Sequence, residues 1–317
     1  MDGLVAQGFA GSVLVACGDD VMFAGAFGLA DAAGRTPSYW LASISKQFTA
    51  AAILRLQETG RLSISDPLAR FFPDAPADKR DITLEQLLTH TSGFARGYAA
   101  DGITEPALAA RAILAAPLAG APGAQFRYSN NNYSLLALIV AQVSGRSFET
   151  YVRDEVFARA GLRDAGFWPD PGAAYVPATQ APVTAPADVA NWGFRGATGM
   201  RASVPDLHRW VRALQRGDVL SAESRARMFD ANVPAGDGDR AGYGWFRGDL
   251  NGHRWLWTRG AEDYGPNAIL YVSEERPLIV ITATNAGPAE EAGPGWSRRA
   301  RDVLMAIYAP PGAPPCG

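Results

Sequence analysis

Residues 43–56, which read SISKQFTAAAILRL, decide the fold. Ser43 and Lys46 are three residues apart, so on a helix both side chains lie on the same side, one turn from each other. The segment that follows is apolar nearly all round, which predicts a buried helix over residues 43–59. Gly60 then provides a stop signal. The sequence therefore predicts a core helix that carries a serine and a lysine together in its first turn.

This serine–lysine pair suits nucleophilic catalysis. A serine hydroxyl is a weak nucleophile until a base takes its proton, and a buried lysine amine can serve as that base. Lys46 and Lys79 are the only lysines among 29 Lys plus Arg, and the remaining cations are arginines, which do not give up a proton usefully. The use of a lysine at position 46 therefore indicates that a titratable amine is needed there. The alternative is a capping serine followed by a lysine whose ammonium reaches the solvent.

A second motif, Tyr128-Ser129-Asn130, precedes a helix predicted over residues 132–144. A tyrosine beside a cationic lysine can relay a proton to a leaving group. Asn130 lies close enough along the chain to reach the same site and bind a carbonyl. The alternative is an ordinary helix start, because serine and asparagine are good N-caps.

A third motif, Thr258-Arg259-Gly260-Ala261, falls on a predicted strand. A glycine on an edge strand lets a substrate backbone approach closely. The Ala261 N–H can then join the Ser43 N–H as an oxyanion hole. The alternative is a plain strand end.

The order of the elements predicts an α+β fold. A hairpin is expected at 11–30, and further strands at 242–248, 253–259, 267–273 and 277–284. Helices are expected at 84–88, 105–116, 132–144, 147–160, 204–216 and 296–308, with a long surface loop at 169–187. Strands at both ends and helices between them favour one antiparallel sheet flanked by helices, an α/β sandwich. The predicted division is a sheet lobe (1–63 and 190–309), an inserted helical lobe (64–189) and a flexible tail (310–317).

Composition excludes several functional classes. The chain has 317 residues, of which 48% are hydrophobic, and a net charge of -3, which argues against a nucleic-acid partner. Its longest apolar stretch is far shorter than the roughly 20 residues of a membrane span, and its N-terminus lacks a signal-peptide pattern. Its three histidines and two cysteines show no zinc spacing, so no metal or organic cofactor is expected. Cys17 is expected to be a small core residue, and a Cys17–Cys316 disulfide has no support from the sequence.

The three motifs together resemble the penicillin-recognising serine hydrolases. The resemblance is nearest to the branch of class C β-lactamases, D-Ala-D-Ala carboxypeptidases and family VIII esterases, in which Tyr-x-Asn is the second motif. It extends from about Gly8 to Ile307. Further stretches that carry it are ISKQFTAAAIL, ITLEQLLTHTSG, FRYSNNNY and GATGMRASVPDLHRW. The resemblance implies a β-lactamase/transpeptidase-like fold.

The resemblance also implies a role for each matching residue. Ser43 would be the acylated nucleophile, Lys46 its activator and Tyr128 the acid/base. Asn130 would contact the substrate amide or the lysine. The N–H groups of Ser43 and Ala261 would form the oxyanion hole. His90 is interpreted as structural, and Gly196 and Gly199 suit a tight turn beside the cleft.

The third motif departs from the family pattern. It usually begins with Lys or His, whereas Thr258 stands here and carries no charge. Arg259 is adjacent, but neighbouring residues of a strand face opposite sides, so it is not expected to substitute. This departure favours an esterase or amidase that acts on small, less anionic substrates.

Three alternatives remain. One is a β-lactamase or a D-amino-acid peptidase, and another is a catalytically silent sensor with the same fold. A Ser-His-Asp hydrolase would need a nucleophile elbow, and no G-x-S-x-G is present. The oligomeric state is left open.

Overall fold

The structure, a computed structural model, describes residues 1–28, 37–168, 190–230, 232–261, 267–285, 295–310 and 316. Its strands are Gly11–Cys17 (β1), Asp20–Phe27 (β2), Ser38–Trp40 (β3), Gly166–Phe167 (β4), Met200–Ser203 (β5), Val233–Gly236 (β6), Asp239–Ala241 (β7), Phe246–Leu250 (β8), His253–Ala261 (β9), Asn267–Ser273 (β10) and Leu278–Thr284 (β11). Eight of them form one sheet in the order β2-β1-β11-β10-β9-β8-β7-β6, and its paired strands are antiparallel. Both ends of the chain therefore contribute to one antiparallel sheet, as predicted.

The helices in the described residues are Asp2–Ala6 (α1), Ser45–Glu58 (α2), Leu84–Leu88 (α3), Pro106–Ala115 (α4), Asn130–Ser144 (α5), Phe148–Val152 (α6), Val204–Arg216 (α7), Ala222–Asp230 (α8) and Trp296–Tyr308 (α9). The sheet is covered on one face by α7, which contacts β1 and β11, and on the other by α9, which contacts β1, β10 and β11. Every residue of β10 and β11 is buried, whereas the edge strand β2 is largely exposed. A strand covered on both faces has no side on which polar residues are needed, so it is a continuous apolar run.

Two hydrophobic cores lie on opposite sides of the sheet. Ile281 belongs to the larger core, together with Phe48 of α2 and Trp210 of α7. The preceding residue, Val280, belongs to the second core, with Leu304 of α9. Successive side chains of a strand point to opposite faces, so this alternation makes the predicted α+β sandwich a layered structure of helix, sheet and helix.

The buried helix predicted from SISKQFTAAAILRL is confirmed as α2. Its residues from Ser45 to Leu54 are all buried. α2 packs against α5, and the three alanines at 50–52 keep that approach close because they add little side-chain volume. The helix starts two residues later than predicted, since Ala42–Ile44 form a tighter 3₁₀ turn.

A small second sheet, with the order β3-β5-β4, was not predicted. Its strands have two to four residues, too few for a period-2 pattern to stand out. This sheet matters for the site, because β3 leads through Leu41 directly into the turn at Ala42–Ile44.

Other predictions were wrong in part. The strand expected at 242–248 begins only at Phe246, because Gly244 adopts φ +75 and packs against the backbone of Gln47, where a Cβ would lie 2.8 Å from its N. The helix expected at 147–160 is α6 followed by a wider helical turn at Arg153–Phe157. α1, α8 and the hairpin of β6 and β7 were missed. The loop predicted at 169–187 lies outside the described residues.

The two cysteines form a disulfide, Cys17–Cys316. This corrects the expectation that Cys17 is a plain core residue. The bond joins the end of β1 to the next-to-last residue of the chain, across a separation of 299 residues. Sequence spacing alone could not find this pair, because only the packing of the sheet brings them together.

Candidate active site

Ser43 lies in the tight turn between β3 and α2. Ala42, the residue before it, is fully buried and has φ 46, a left-handed conformation that costs a non-glycine residue about 1–3 kcal/mol. Buried packing around Leu41 and Ala42 holds this strained turn in place. The turn thus positions the Ser43 side chain at the N-terminal end of α2.

Lys46 lies in the first turn of α2 and is almost completely buried. Its Nζ donates to Ser43 Oγ at 3.1 Å, to Asn130 Oδ1 at 2.8 Å and to the carbonyl oxygen of Ala197 at 2.9 Å. These three acceptors match the three donors of an ammonium group. Gly196, which has φ +75 as its predicted tight turn requires, precedes Ala197.

Tyr128 completes a compact cluster around Ser43. Its hydroxyl lies 2.5 Å from Ser43 Oγ, a hydrogen bond in which either oxygen can be the donor. Nζ of Lys46 also lies over the Tyr128 ring, 4.9 Å from its centre. The structure therefore brings together the serine, lysine and tyrosine of the first two predicted motifs.

His90 supports Tyr128 from below. The two rings stack with their centres 4.5 Å apart, and His90 Nδ1 accepts a hydrogen bond from the Ser129 N–H at 3.2 Å, which leaves the proton on Nε2. Burial, and then the charge of Lys46, hold the pKa of His90 well below its usual range. A neutral imidazole therefore lies beneath the tyrosine, in line with the structural role expected for it.

The third motif meets the Ser43 turn at Gly260. A Cβ at this position would lie 2.0 Å from the Leu41 carbonyl oxygen and 2.8 Å from the Ser43 N. Only glycine allows β9 to approach that turn so closely. Thr258 is buried, and both Thr258 and Ala261 line the cavity over Ser43. The pairing between β8 and β9 ends where Phe246 is opposite Trp257. β9 therefore continues four residues beyond β8.

The cavity over Ser43 has a volume of about 330 Å³. It is lined by Ser43, Lys46, His90, Arg96, Phe126, Tyr128, Ala235, Gly236, Asp237, Asp239, Gly242, Gly244, Trp245, Phe246, Trp257, Thr258, Arg259 and Ala261. Its volume is at the lower end of the range for small-molecule sites. All three predicted motifs contribute to this one cavity.

Charged side chains around the cavity include several that the sequence did not single out. Arg96, Asp237 and Asp239 line it together with Arg259. Arg259 therefore borders the cavity, although it is exposed and its neighbours Thr258 and Gly260 are buried. The strand edge forms part of the cavity wall, so neighbouring residues of either orientation can border the same space.

The tryptophans Trp245 and Trp257 line the cavity. Trp192, Phe194 and Trp255 pack in three different apolar clusters instead. Phe126 and Phe246 also line the cavity and were not predicted. Phe126 lies two residues before the second motif, which is the one signal that could have pointed to it.

Comparison with known families fits this geometry. Residues 1–305 match the sequence model of the Beta-lactamase family. The chain belongs to the Beta-lactamase family. PbpX of Bacillus subtilis (strain 168), which is named as a penicillin-binding protein, is 32% identical over 233 residues, covering 70% of this chain. The match covers only 59% of PbpX, so this β-lactamase-family chain corresponds to part of that relative.

Solved structures agree on the fold. The penicillin binding protein from Bacillus halodurans superposes with a TM-score of 0.78 at 24% identity, covering 96% of this chain and 99% of that one. The D-amino acid amidase from Ochrobactrum anthropi SV3 superposes with a TM-score of 0.80 at 22% identity, covering 96% and 98%. At these identities the likeness establishes the fold, and the predicted β-lactamase/transpeptidase-like architecture is confirmed. No helix in the described parts of the chain has the length and apolar character needed to cross a membrane.

Proposed function

We propose that this chain is a serine hydrolase that forms an acyl-enzyme on Ser43 and acts on small esters or amides. The observation that carries the proposal is the position of Ser43 Oγ, which lies 2.5 Å from the Tyr128 hydroxyl and 3.1 Å from Lys46 Nζ. A nucleophile within hydrogen-bond reach of a base, and a base held by a third group, is the arrangement that activates a serine.

In this proposal Tyr128 carries the proton and Lys46 supplies the charge. Tyr128 reacts as its phenolate beside the Lys46 ammonium, so that as Ser43 Oγ bonds to the substrate carbonyl carbon, its proton passes to the Tyr128 oxygen. The Lys46 ammonium, held by its contacts with Asn130 and Ala197, stabilises negative charge on both oxygens. Tyr128 then returns the proton to the leaving alcohol or amine as the bond from carbonyl carbon to leaving group breaks. Water enters by the same steps in reverse and releases the acid.

The backbone N–H groups of Ser43 and Ala261 are the proposed oxyanion hole. The close approach of Gly260 to the Ser43 turn supports this role, because it brings β9 next to the nucleophile. Two rigid backbone donors would stabilise the tetrahedral intermediate. Removal of a single donor of this kind lowers the rate of other enzymes by about 10²–10³-fold.

The substrate proposal depends on Thr258. This residue lines the cavity, is buried and is uncharged. An uncharged group in that position provides hydrogen bonding without attraction for a carboxylate, which favours neutral esters or amides. The structural neighbour from Ochrobactrum is named as an amidase, which is compatible with this choice.

A second candidate is a β-lactamase or D-amino-acid peptidase. The observation that favours it is the presence of Arg96 and Arg259 on the cavity wall. A guanidinium matches the geometry of a carboxylate, so either arginine could hold the anionic end of a penicillin or a peptide. This chain would then replace the missing Lys or His with arginine.

The test compares the protein with its Ser43→Ala variant. Both are incubated with p-nitrophenyl acetate, p-nitrophenyl butyrate, nitrocefin, a D-Ala-D-Ala peptide and a fluorophosphonate, and turnover and intact mass are recorded. The variant is expected to lose about 10⁴-fold or more in turnover and to form no mass adduct. Ser65→Ala, at an exposed serine, is the control and should behave as the parent.

Each outcome has a distinct meaning. Preference for the p-nitrophenyl esters supports the esterase, and preference for nitrocefin or the peptide supports the second candidate. Turnover that survives in Ser43→Ala contradicts both. Absence of turnover and adduct in the parent protein would instead favour a silent binding protein on this fold.

A further inference from the structure

A row of aromatic rings crosses three strands at the cavity. Phe246 of β8 stacks on Trp257 of β9, with ring centres 4.8 Å apart and planes 22° from parallel. Trp257 in turn stacks on Tyr271 of β10, at 5.9 Å and 12°. The register explains the row, because Trp257 is directly opposite both Phe246 and Tyr271. Directly opposed residues of antiparallel strands share a face.

This row is continuous with the Ser43 side of the cavity through Phe126. The Phe126 ring meets Phe246 edge to face, with centres 6.1 Å apart. Phe126 precedes Tyr128 by two residues, and Phe126, Phe246 and Trp257 all line the cavity. We call these three residues the aromatic platform. It presents partly exposed rings in the cavity that Ser43 also lines.

The central ring of the platform is held in one orientation. Asp239 accepts a hydrogen bond from the Trp257 indole N–H. Gly248 leaves room for this carboxylate, because a Cβ there would lie 1.8 Å from Asp239 Oδ1 and 3.3 Å from Trp257 Nε1. A binding surface whose side chains are locked by a second layer of contacts loses less entropy when a ligand arrives.

The position of Asp239 disfavours the charged form of its carboxylate. Burial, partly offset by the Trp257 hydrogen bond, raises the pKa of Asp239, and Asp237 and Asp249 add repulsion while Arg259 reduces it. A carboxylate in a poorly solvated position destabilises its charged form. Its contact with the indole is a reason for such a residue to be placed at this position.

We propose that the aromatic platform binds a flat aromatic ring of the substrate, so that the preferred substrates are esters or amides with an aryl group next to the scissile bond. Phe246, the end ring of the stack, and Phe126 provide the surface for the substrate ring, Trp257 packs against the other face of Phe246, and Asp239 is a positioning residue for Trp257. This inference rests on the proposed function of Ser43, since it names the substrate class of the same cavity.

Two matched pairs of esters test the platform. Ethyl phenylacetate and ethyl cyclohexylacetate differ only in whether the acyl ring is flat and aromatic, and benzyl acetate and cyclohexylmethyl acetate differ in the same way on the alcohol side. Binding to the Ser43→Ala variant is measured by ligand-observed NMR titration, without turnover. The aromatic member of at least one pair should bind about 2- to 12-fold more tightly, and that pair tells which side carries the ring.

Variants assign the preference to the platform. Trp257→Leu and Phe246→Leu, each made in the Ser43→Ala background, should bring the ratio close to one while keeping an apolar surface. Asp239→Ala should lower the ratio, and Asp239→Asn should restore it because an amide oxygen still accepts the indole N–H. Phe23→Leu removes a ring from a similar stack outside this cavity, with Phe27 at 6.1 Å, and should leave the ratio unchanged.

Different results would contradict the aromatic platform and the proposed function of Ser43. A ratio of one for both pairs, or a preference that survives Trp257→Leu, would overturn the platform even if the parent protein hydrolyses p-nitrophenyl acetate through Ser43. If the parent protein does not hydrolyse p-nitrophenyl acetate, or if Ser43→Ala hydrolyses it equally well, the proposed function is contradicted, whatever the binding ratios are.

Discussion

The two walls of the cavity are built in opposite ways. The wall of Ser43, Lys46 and Tyr128 is polar, and short hydrogen bonds of 2.5–3.1 Å join its three side chains. A second part of the wall carries the stacked rings of Phe246 and Trp257, and charged residues line the same cavity. The first wall is suited to moving protons, and the second offers surface for recognition.

The contacts in the first wall include residues close together in the sequence, whereas those in the second wall join residues on different strands. Ser43 and Lys46 meet because a helical turn brings residues three apart together. Asp239, Gly248 and Trp257 meet only because strands β7, β8 and β9 pair in one register. Chemistry can therefore be inferred from short motifs here, whereas the features proposed to select the substrate depend on the sheet.

The largest effect is expected from breaking the polar wall at Tyr128. Tyr128→Phe keeps the ring over His90 but removes the oxygen that hydrogen-bonds with Ser43. In the proposed mechanism kcat for p-nitrophenyl acetate should fall by about 10²–10⁴-fold. Steady-state kinetics measure the change.

Tyr39→Phe is the matched control for that variant. Tyr39 also shares a 2.5 Å contact with a serine, Ser12, but in the core. The Tyr39→Phe variant should have a lower free energy of unfolding than the parent, and its kcat for p-nitrophenyl acetate should stay within a few-fold of the parent's. Equal losses of kcat in both variants would mean that Tyr128 acts through folding and not through proton transfer.

A smaller effect is expected where the two walls join. Gly260→Ala places a methyl group against the Leu41 carbonyl and the Ser43 N–H, so β9 must move away from the nucleophile. We expect kcat to fall by about 10²–10³-fold, the loss typical of one oxyanion donor. Gly295→Ala is the control, because a Cβ there lies 3.4 Å from its nearest neighbour. An unchanged kcat in Gly260→Ala would remove β9 from the proposed oxyanion hole.

The smallest effect concerns His90, beneath Tyr128, and appears in stability. Because the folded-state pKa of His90 is lowered, the folded protein binds fewer protons than the unfolded chain below about pH 6.5, the usual value. The free energy of unfolding should therefore fall as pH drops below that value, with this group contributing at most about 1.4 kcal/mol per pH unit. His90→Asn, which tolerates the observed φ of 58, should flatten the slope.

Urea titrations at pH 5, 6 and 7 measure that slope. Ser65→Ala, at an exposed residue without a titratable side chain, is the comparison and should keep the parent's slope. A His90→Asn variant with an unchanged slope would mean that His90 does not remain neutral in the folded protein.

Much of the fold could be predicted from periodicity. α7 and α9 match the predicted helices at 204–216 and 296–308. α7 has a strong local signal in Ser203, whose side chain accepts a hydrogen bond from the N–H of Asp206. The strands of the second sheet could not be predicted, since two to four residues are too few for a pattern. Gly244 misled the strand prediction because its close packing on α2 is invisible along the chain.

The sequence by itself determined the chemistry that we propose. Helix geometry relates Ser43 to Lys46, and the second motif indicates Tyr128, although its contact with Ser43, 85 residues away, is made only in the folded chain. Only the tertiary structure decided which residues border the substrate space: Arg259 and Asp239 line the cavity, and Cys17 meets Cys316. The physical reason is that strand register and layer packing join residues far apart in the chain, and no local spacing records those contacts.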